Sequence, residues 1–451
     1  MTTFLAILGA ALVAIVVIGY LLTVINFVER VASLWRRYIL GQPKAEPATK
    51  EDVADIKRAV DELRGQVSTY LDGLPQAKAE VRDPFEEGER LQDADQHEAA
   101  IAEFEKAFAA AEDDSQRCAL HILIGNSFYG LSRLPEAEGH YRQALGPAER
   151  AGDREGQATA LGNLGVVYLQ QGDLDKAEEH HKKALAIEEQ IDNPLDQATA
   201  LCNLGLVYAD RGELDKAEEH YRKALAIDEE IGNRVGQAED LGNLGLVYAD
   251  RGELDKAEEH LKKALDIHKA IGNRLGQAAA LGNLGNVYFQ RADMDEAQEH
   301  YRRSLEIHQH IGNRLGQANQ LGNLGNVYFQ RGDFAKAEEH CKKALAIDEE
   351  IGNRLGQANS LGNLGNVYAD RGDLDKAEEH YRKALAIDEE VGNRLGQADR
   401  LGNLGLLAAQ RGEAEKGRGL LSQAKALYEA AGAGGQGSEI VREALERLES
   451  E

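Results

Sequence analysis

Residues 233–272 read NRVGQAEDLGNLGLVYADRGELDKAEEHLKKALDIHKAIG, and the next block, 273–312, keeps the same frame as NRLGQAAALGNLGNVYFQRADMDEAQEHYRRSLEIHQHIG. In the first block Val235, Ala238, Leu241, Gly245 and Tyr248 fall three or four residues apart, the spacing that lines up one face of an α-helix. Gly252 reads as the stop of that helix, and Asp255 with Glu258 has the form of an N-terminal capping box for a second one. Leu254, Ala257, Leu261, Ala264, Leu265 and Ile271 continue the apolar pattern up to Gly272, after which Asn273 begins the next unit. Neither helix can cover its own stripe. Each unit must therefore stack on its neighbours, gaining roughly 1.5–3 kcal/mol per large apolar side chain covered.

Outward from this block the period is 40 residues from 121 to 430 without a slip. Leu161, Leu201, Leu241, Leu281, Leu321, Leu361 and Leu401 are phase-equivalent, as are Gly165, Gly205, Gly245, Gly285, Gly325, Gly365 and Gly405. Such self-similarity predicts an all-α solenoid of stacked helix-turn-helix units over residues 81–431. Nine hairpins are expected: a diverged first one from Phe85 to Phe108, then eight starting near residues 117, 157, 197, 237, 277, 317, 357 and 397. Residues 432–451 read as a linker and a charged helix, Ser438 to Glu449, that closes the stack. Gly432, Gly434 and Gly437 match a dinucleotide fingerprint in spacing, but they follow a helix instead of a strand, which excludes it.

The N-terminus is a different material. Phe4 to Ile25 carries no charge and almost no polar group, about 22 residues or ~33 Å of helix, enough to span a bilayer. A cleaved signal peptide would need a basic start, and Met1, Thr2 and Thr3 supply no Lys or Arg. Residues 1–28 are therefore read as a transmembrane helix. Residues 29–50 follow as a basic and aromatic juxtamembrane stretch and linker with Arg30, Trp35, Arg36, Arg37, Tyr38, Lys44 and Lys50. By the positive-inside rule the protein is a single-pass membrane protein, N-terminus out, with its repeats cytoplasmic. Within residues 51–80, Val53, Ile56, Val60, Leu63, Val67, Tyr70 and Leu74 step by three and four. That seam is either a coiled coil pairing two chains through residues 53–74 or one amphipathic helix lying on the membrane or on the first repeat.

Composition narrows the function. Acids outnumber bases 78 to 52, a net charge of -26, which argues against a nucleic-acid partner. Cys118, Cys202 and Cys341 are too scattered for a disulfide framework or a metal site and read as packing residues. No P-loop, H-E-x-x-H or nucleophile elbow occurs, so no enzyme, no cofactor and no metal are expected. His140, His180, His220, His260, His300, His340 and His380 share one phase, but stacked equivalents lie about 8–10 Å or more apart, too far for two imidazoles to share a zinc at ~2 Å per bond.

The run L-G-N-L-G-x-V-Y, followed by G-D-L-D-K-A-E-E-H-Y-x-K-A-L, resembles the tetratricopeptide repeat signature from residue 84 to about 430. The 40-residue unit with G-N-L-G-N-x-Y, as at Gly282 to Tyr288, looks most like Pins-type adaptors and kinesin light chains. The resemblance implies a right-handed α-solenoid that holds peptides on its concave side. It also implies ligand-facing residues at the second, fifth, sixth, ninth and twelfth positions of the first helix. The sixth is Asn163, Asn203, Asn243, Asn283, Asn323, Asn363 and Asn403; the ninth is Asn286, Asn326 and Asn366 in three consecutive units. The second is Asn319 and Asn359 in two of these, and the twelfth is Phe289 and Phe329. The expected peptide-binding set is thus Asn283, Asn286, Phe289, Asn319, Asn323, Asn326, Phe329, Asn359, Asn363 and Asn366.

A carboxamide offers an acceptor and two donors, so a row of Asn can pair with the backbone of any extended peptide. The bland alternative is that these amides fix the turn between neighbouring helices. The fifth position is Gly162, Gly242, Gly282, Gly322 and Gly362, each costing about 1 kcal/mol of helix propensity against Ala. Close helix packing and close approach of a ligand backbone both account for that cost. Pins-type repeats carry Arg at the second position to grip acidic peptides, whereas this chain has Thr159, Thr199, Glu239, Ala279, Asn319, Asn359 and Asp399 there. A neutral to weakly basic protein or peptide segment is the expected partner. The expected function is a membrane-anchored interaction scaffold; the alternative is a self-assembling repeat protein coating a membrane.

Overall fold

The computed structural model describes residues 79–430 and 436–450. Among these residues all regular structure is α-helical, and no helix is long and apolar enough to cross a membrane. The span expected at residues 4–25 and the heptad seam at 53–74 lie outside the described residues. The chain divides into two units, one ending at Glu112 and one beginning at Asp113. In the first, α1 (Ala79–Asp93) and α2 (His97–Ala110) form a hairpin, closed by Phe85 edge-on to Phe104 with ring centroids 6.2 Å apart.

The second unit is an array of hairpins, each with a first helix A and a second helix B. They are α3 (Asp114–Gly130) with α4 (Leu134–Ala151), α5 (Arg154–Gln170) with α6 (Leu174–Ile191), α7 (Pro194–Asp210) with α8 (Leu214–Glu230), and α9 (Arg234–Asp250) with α10 (Leu254–Ala270). Next come α11 (Arg274–Gln290) with α12 (Met294–His310), α13 (Arg314–Gln330) with α14 (Phe334–Glu350), α15 (Arg354–Asp370) with α16 (Leu374–Glu390), and α17 (Arg394–Gln410) with α18 (Ala414–Ala430). A last helix, α19 (Gln436–Ser450), packs on both α17 and α18, the place a further helix A would take.

Both turns of a unit are made by glycine in the left-handed region, Gly252 at φ 74° and Gly272 at φ 70°. The chain reverses there because the amide three residues past the helix returns to it, Glu253 N–H to the Tyr248 carbonyl at 2.8 Å and Asn273 N–H to that of His268 at 2.9 Å. Ala292, φ 60°, and Ser132, φ 58°, take the same conformation where the other units have Gly. Asn273 caps α11, its Oδ1 accepting from Gly276 N–H at 2.8 Å. The capping box expected at Asp255 and Glu258 is not formed: α10 is capped at Glu253, leaving Asp255 inside the first turn. Both carboxylates turn instead to the next repeat, where Arg291 binds the two of them.

From α5 onward each A helix is wedged between its own B helix and the B helix before it, so it buries more than one stripe. Ala238, Leu241 and Tyr248 are buried as expected, and Leu244 and Val247 join them. Val235, expected in the stripe, is 46% exposed because it lies at the open end of the helix beside the turn. Gly245 marks the closest approach of α9 to α10: a Cβ there would stand 2.7 Å from Leu261 Cγ. The same collision threatens Gly165 with His181, Gly205 with Tyr221 and Gly285 with Tyr301, so this glycine row is a packing requirement. Cys118 and Cys341 are buried, the latter in place of that Tyr, and burial pushes the Cys341 thiol up to about 12.

Candidate functional site: the inner wall of A helices

Most successive A helices of the second unit touch, as α3 with α5 and α13 with α15, whereas no two successive B helices share a comparable contact. The A helices therefore form the inner wall. On each of them the solvent-facing stripe consists of the second, sixth, ninth and thirteenth positions, spaced four, three and four residues. On α11 it reads Ala279, Asn283, Asn286, Gln290; on α13, Asn319, Asn323, Asn326, Gln330; on α15, Asn359, Asn363, Asn366, Asp370. All eight nominated asparagines stand on this stripe, exposed or half-buried. Phe289 and Phe329 sit half-buried at its margin: Phe289 packs on the core, and Phe329 lies 5.8 Å from the Phe334 ring.

Hydrogen bonds divide the asparagines into two kinds. Asn286 Oδ1 accepts from the Tyr301 hydroxyl at 2.7 Å, and Asn366 Oδ1 from Tyr381 at 2.7 Å. Asn126 repeats the arrangement with Tyr141 at 2.8 Å. A tyrosine on helix B thus fixes each carboxamide through its oxygen and leaves its NH2 without a partner among the described residues. Asn163 Nδ2 reaches Asn126 Oδ1 at 3.1 Å and Asn403 Nδ2 reaches Asn366 Oδ1 at 3.4 Å, so part of the sixth-position row ties one repeat to the next. Asn359 accepts from Arg400 at 3.1 Å. Among the described residues, Asn283, Asn319, Asn323, Asn326 and Asn363 make no side-chain hydrogen bond, so this central patch keeps its donors and acceptors for water or a ligand.

The fifth-position glycines also divide. At Gly162, Gly242 and Gly322 a Cβ would meet nothing within 4 Å, so helix packing does not require glycine there. Gly282 and Gly362 are covered by Gln320 and Arg400 of the following A helix, and Gly402 by Val441 of α19, which seals the groove beyond α17. The thirteenth-position residues Gln290 and Gln330, one turn beyond Asn286 and Asn326, were absent from the expected set although their spacing marks them.

On the outer face, side chains clasp one repeat to the next. Glu258 of α10 accepts from Tyr288 of the next repeat at 2.7 Å and pairs with Lys262 at 2.5 Å and with Arg291. Burial alone would push the carboxyl above the usual carboxylate range, but the bonds from Lys262, Tyr288 and Arg291 outweigh that and hold it at about 2. Glu178, Glu218 and Glu338 make the same clasp, with Gln298 replacing Glu in one unit. The recurrent histidines are part of this face: the His260 ring lies 4.9 Å from that of Tyr248 and its Nδ1–H donates to the Lys256 carbonyl at 2.8 Å. No group of three metal-ligating side chains forms among the described residues.

These features define an all-α repeat solenoid with a clasped outer face and an open inner wall. The tetratricopeptide repeat family model matches residues 115–190, 196–270, 276–350, 317–390 and 356–430, more than half of the chain, and the protein belongs to that family. No curated protein sequence matches it. Among solved structures it is similar to the apo form of the quorum sensor NprR from B. thuringiensis, with TM-score 0.57 and 14% identity over 74% of this chain and 94% of that one. It is also similar to a Rap protein complexed with competence and sporulation factor, with TM-score 0.53 and 16% identity over 83% and 98% of the two chains. A third is the signal transduction ATPase with a tetratricopeptide repeat sensor, PH0952 from Pyrococcus horikoshii, with TM-score 0.53 and 16% identity over 84% and 53%. At these identities the likeness is one of fold.

Proposed function

We propose that the protein is a non-catalytic scaffold that holds an extended, neutral to weakly basic segment of a partner protein along the inner wall of α11, α13 and α15. The observation that carries this reading is the patch of unpartnered amides there, flanked by Asn286 and Asn366, whose carboxamides are held in place by Tyr301 and Tyr381. A backbone in β-conformation presents alternating C=O and N–H groups that such amides can pair with irrespective of side chains. The Rap structure of the same fold holds competence and sporulation factor, which is in keeping with a binding role for the groove. In this reading residues 4–25 anchor the scaffold in a membrane, the basic residues after them keep the repeats on the cytoplasmic side, and residues 53–74 pair two chains. The test is a pull-down from membranes with the wild-type chain and with Asn286→Ala, Asn326→Ala and Asn366→Ala combined. The combined variant should keep its helix content and lose its captured partner; undiminished capture would refute the groove.

A further inference from the structure

We propose that the α7–α9 part of the inner wall is a second subsite, which takes a Lys- or Arg-bearing aliphatic stretch of the same partner segment; this rests on the reading that the groove holds an extended chain. The open stripe changes chemistry between α9 and α11. On α7 it is Thr199, Asn203, Leu206, Asp210 and on α9 Glu239, Asn243, Leu246, Asp250, so aliphatic residues replace the Asn of α11, α13 and α15 at the ninth position, and Asp, which α15 also carries as Asp370, replaces the Gln of α11 and α13 at the thirteenth. Leu246 is 40% exposed.

These acids go unanswered among the described residues. Among the described residues Asp210, Glu239 and Asp250 have no hydrogen-bond or ion-pair partner, whereas on the outer face of the same repeats Asp215 and Glu218 bind Arg251, and Glu219 binds Lys223. Asp210 and Asp250 are the last residues of their helices, where a carboxylate opposes the helix dipole. Folding is better served by the Gln that α5, α11 and α13 carry there. Burial raises the carboxyls of Glu239 and Asp250 above the usual range, as expected of acids in a concave wall with no cation near.

Two independent features mark a place for a ligand. Asp240, 1% exposed at the seam of α7 and α9, is hydrogen-bonded to Cys202 and keeps one carboxylate oxygen, Oδ2, without a partner. At Gly242, between Glu239 and Leu246, a Cβ would meet no atom within 4 Å. The equivalent notches at Gly282 and Gly362 are filled by Gln320 and Arg400, but here the following helix supplies only Ala280. A Lys or Arg side chain suits such a notch: its aliphatic stem covers Leu246 and its head reaches Glu239 or Asp250. An anionic membrane or nucleic acid is repelled by the same wall.

The test measures fluorescence anisotropy of the full chain in detergent with a labelled peptide joining a Leu/Lys block to a Ser/Ala block, and with its Leu/Glu counterpart. Asp210→Asn, Glu239→Gln and Asp250→Asn combined should weaken the Leu/Lys probe roughly tenfold, and so should Gly242→Leu alone with unchanged circular dichroism. Glu179→Gln, Glu219→Gln and Glu259→Gln combined remove equal charge from the outer face and should change affinity by less than about twofold. An equal loss in both triple variants would mean attraction by net charge alone and would overturn the subsite. If the Asn286, Asn326 and Asn366 variant weakens the probe while the inner acid variant does not, the groove stands and the subsite falls. If neither weakens it, both fall.

Discussion

Gly242 and Gly245 lie three residues apart on α9, and substituting each with Ala should move stability in opposite directions. Ala in a helix interior is favoured over Gly by about 0.5–1 kcal/mol. At Gly242 the new methyl meets nothing within 4 Å, so Gly242→Ala should realise that gain in full. At Gly245 the methyl would stand 2.7 Å from Leu261 Cγ, 3.0 Å from its Cδ2 and 3.3 Å from the Ala257 carbonyl oxygen. Relief requires α9 and α10 to separate, and overpacking of this kind costs about 1–3 kcal/mol, more than the propensity returns. The two variants should therefore differ by roughly 2 kcal/mol. Repeat arrays need not unfold in one step, so hydrogen exchange of the α9 and α10 amides is the assay, with urea midpoints alongside. Slower exchange in Gly242→Ala and faster exchange in Gly245→Ala are expected. Destabilisation by Gly242→Ala would show that the notch is not open, and with it the claim that this glycine serves something other than folding would fail.

The outer clasps give the array an acid limit: Glu178, Glu218, Glu258, Glu338 and Glu378 are held at about 2, below the ordinary 4.5, so their contribution is complete above pH 4.5 and is lost as pH falls through about 2. Thermal melts should decline through that window, and Glu218→Gln should flatten the decline; a melting temperature independent of pH there would count against the clasps. Tyr301→Phe removes the donor that orients Asn286 and should weaken ligand capture several-fold, on the order of 1 kcal/mol, with helix content unchanged in circular dichroism. Ala292→Gly relieves a left-handed alanine and should raise the urea midpoint, by roughly 0.5–1 kcal/mol of stability.

The register of the array was legible because its signals are local and recur: Leu241, Gly245 and Tyr248 announce one helix, Ala257 and Leu261 the next, and Gly252 and Gly272 the turns between them. What stayed hidden lies between repeats. Arg291 reaches back 36 residues to Asp255, so a pattern search along one helix assigns Asp255 to a cap it does not make. The tyrosine clamp was hidden for a similar reason, although a trace of it is in the sequence: Asn126, Asn286 and Asn366 each occur with Tyr 15 residues later. Asn326 breaks that pairing with Cys341, and there the amide is left without a partner. The asparagine row allowed two readings along the sequence because its members differ: Asn163 and Asn403 bridge to the preceding repeat, and Asn283, Asn323 and Asn363 do not.

The contrast between the two faces bears on how long a ligand must be. On the outer face most repeats grip the next through Arg and Glu, usually with Tyr, and Gln298 takes the place of Glu between α12 and α13; these grips fix the spacing of the A helices behind them. The clamped amides of Asn286 and Asn366 are two repeats apart, and with neighbouring helices about 8–10 Å from axis to axis their separation is on the order of 20 Å. An extended chain advances about 3.3 Å per residue, so roughly six residues are needed to touch both. A shorter segment engages one fixed amide and must recruit the unclamped Asn326 for the second contact, ordering a side chain at a cost in entropy that Asn286 and Asn366 have already met through their tyrosines. Affinity should therefore rise steeply as a ligand grows to that length, because only then do two preorganised donors act on the same backbone.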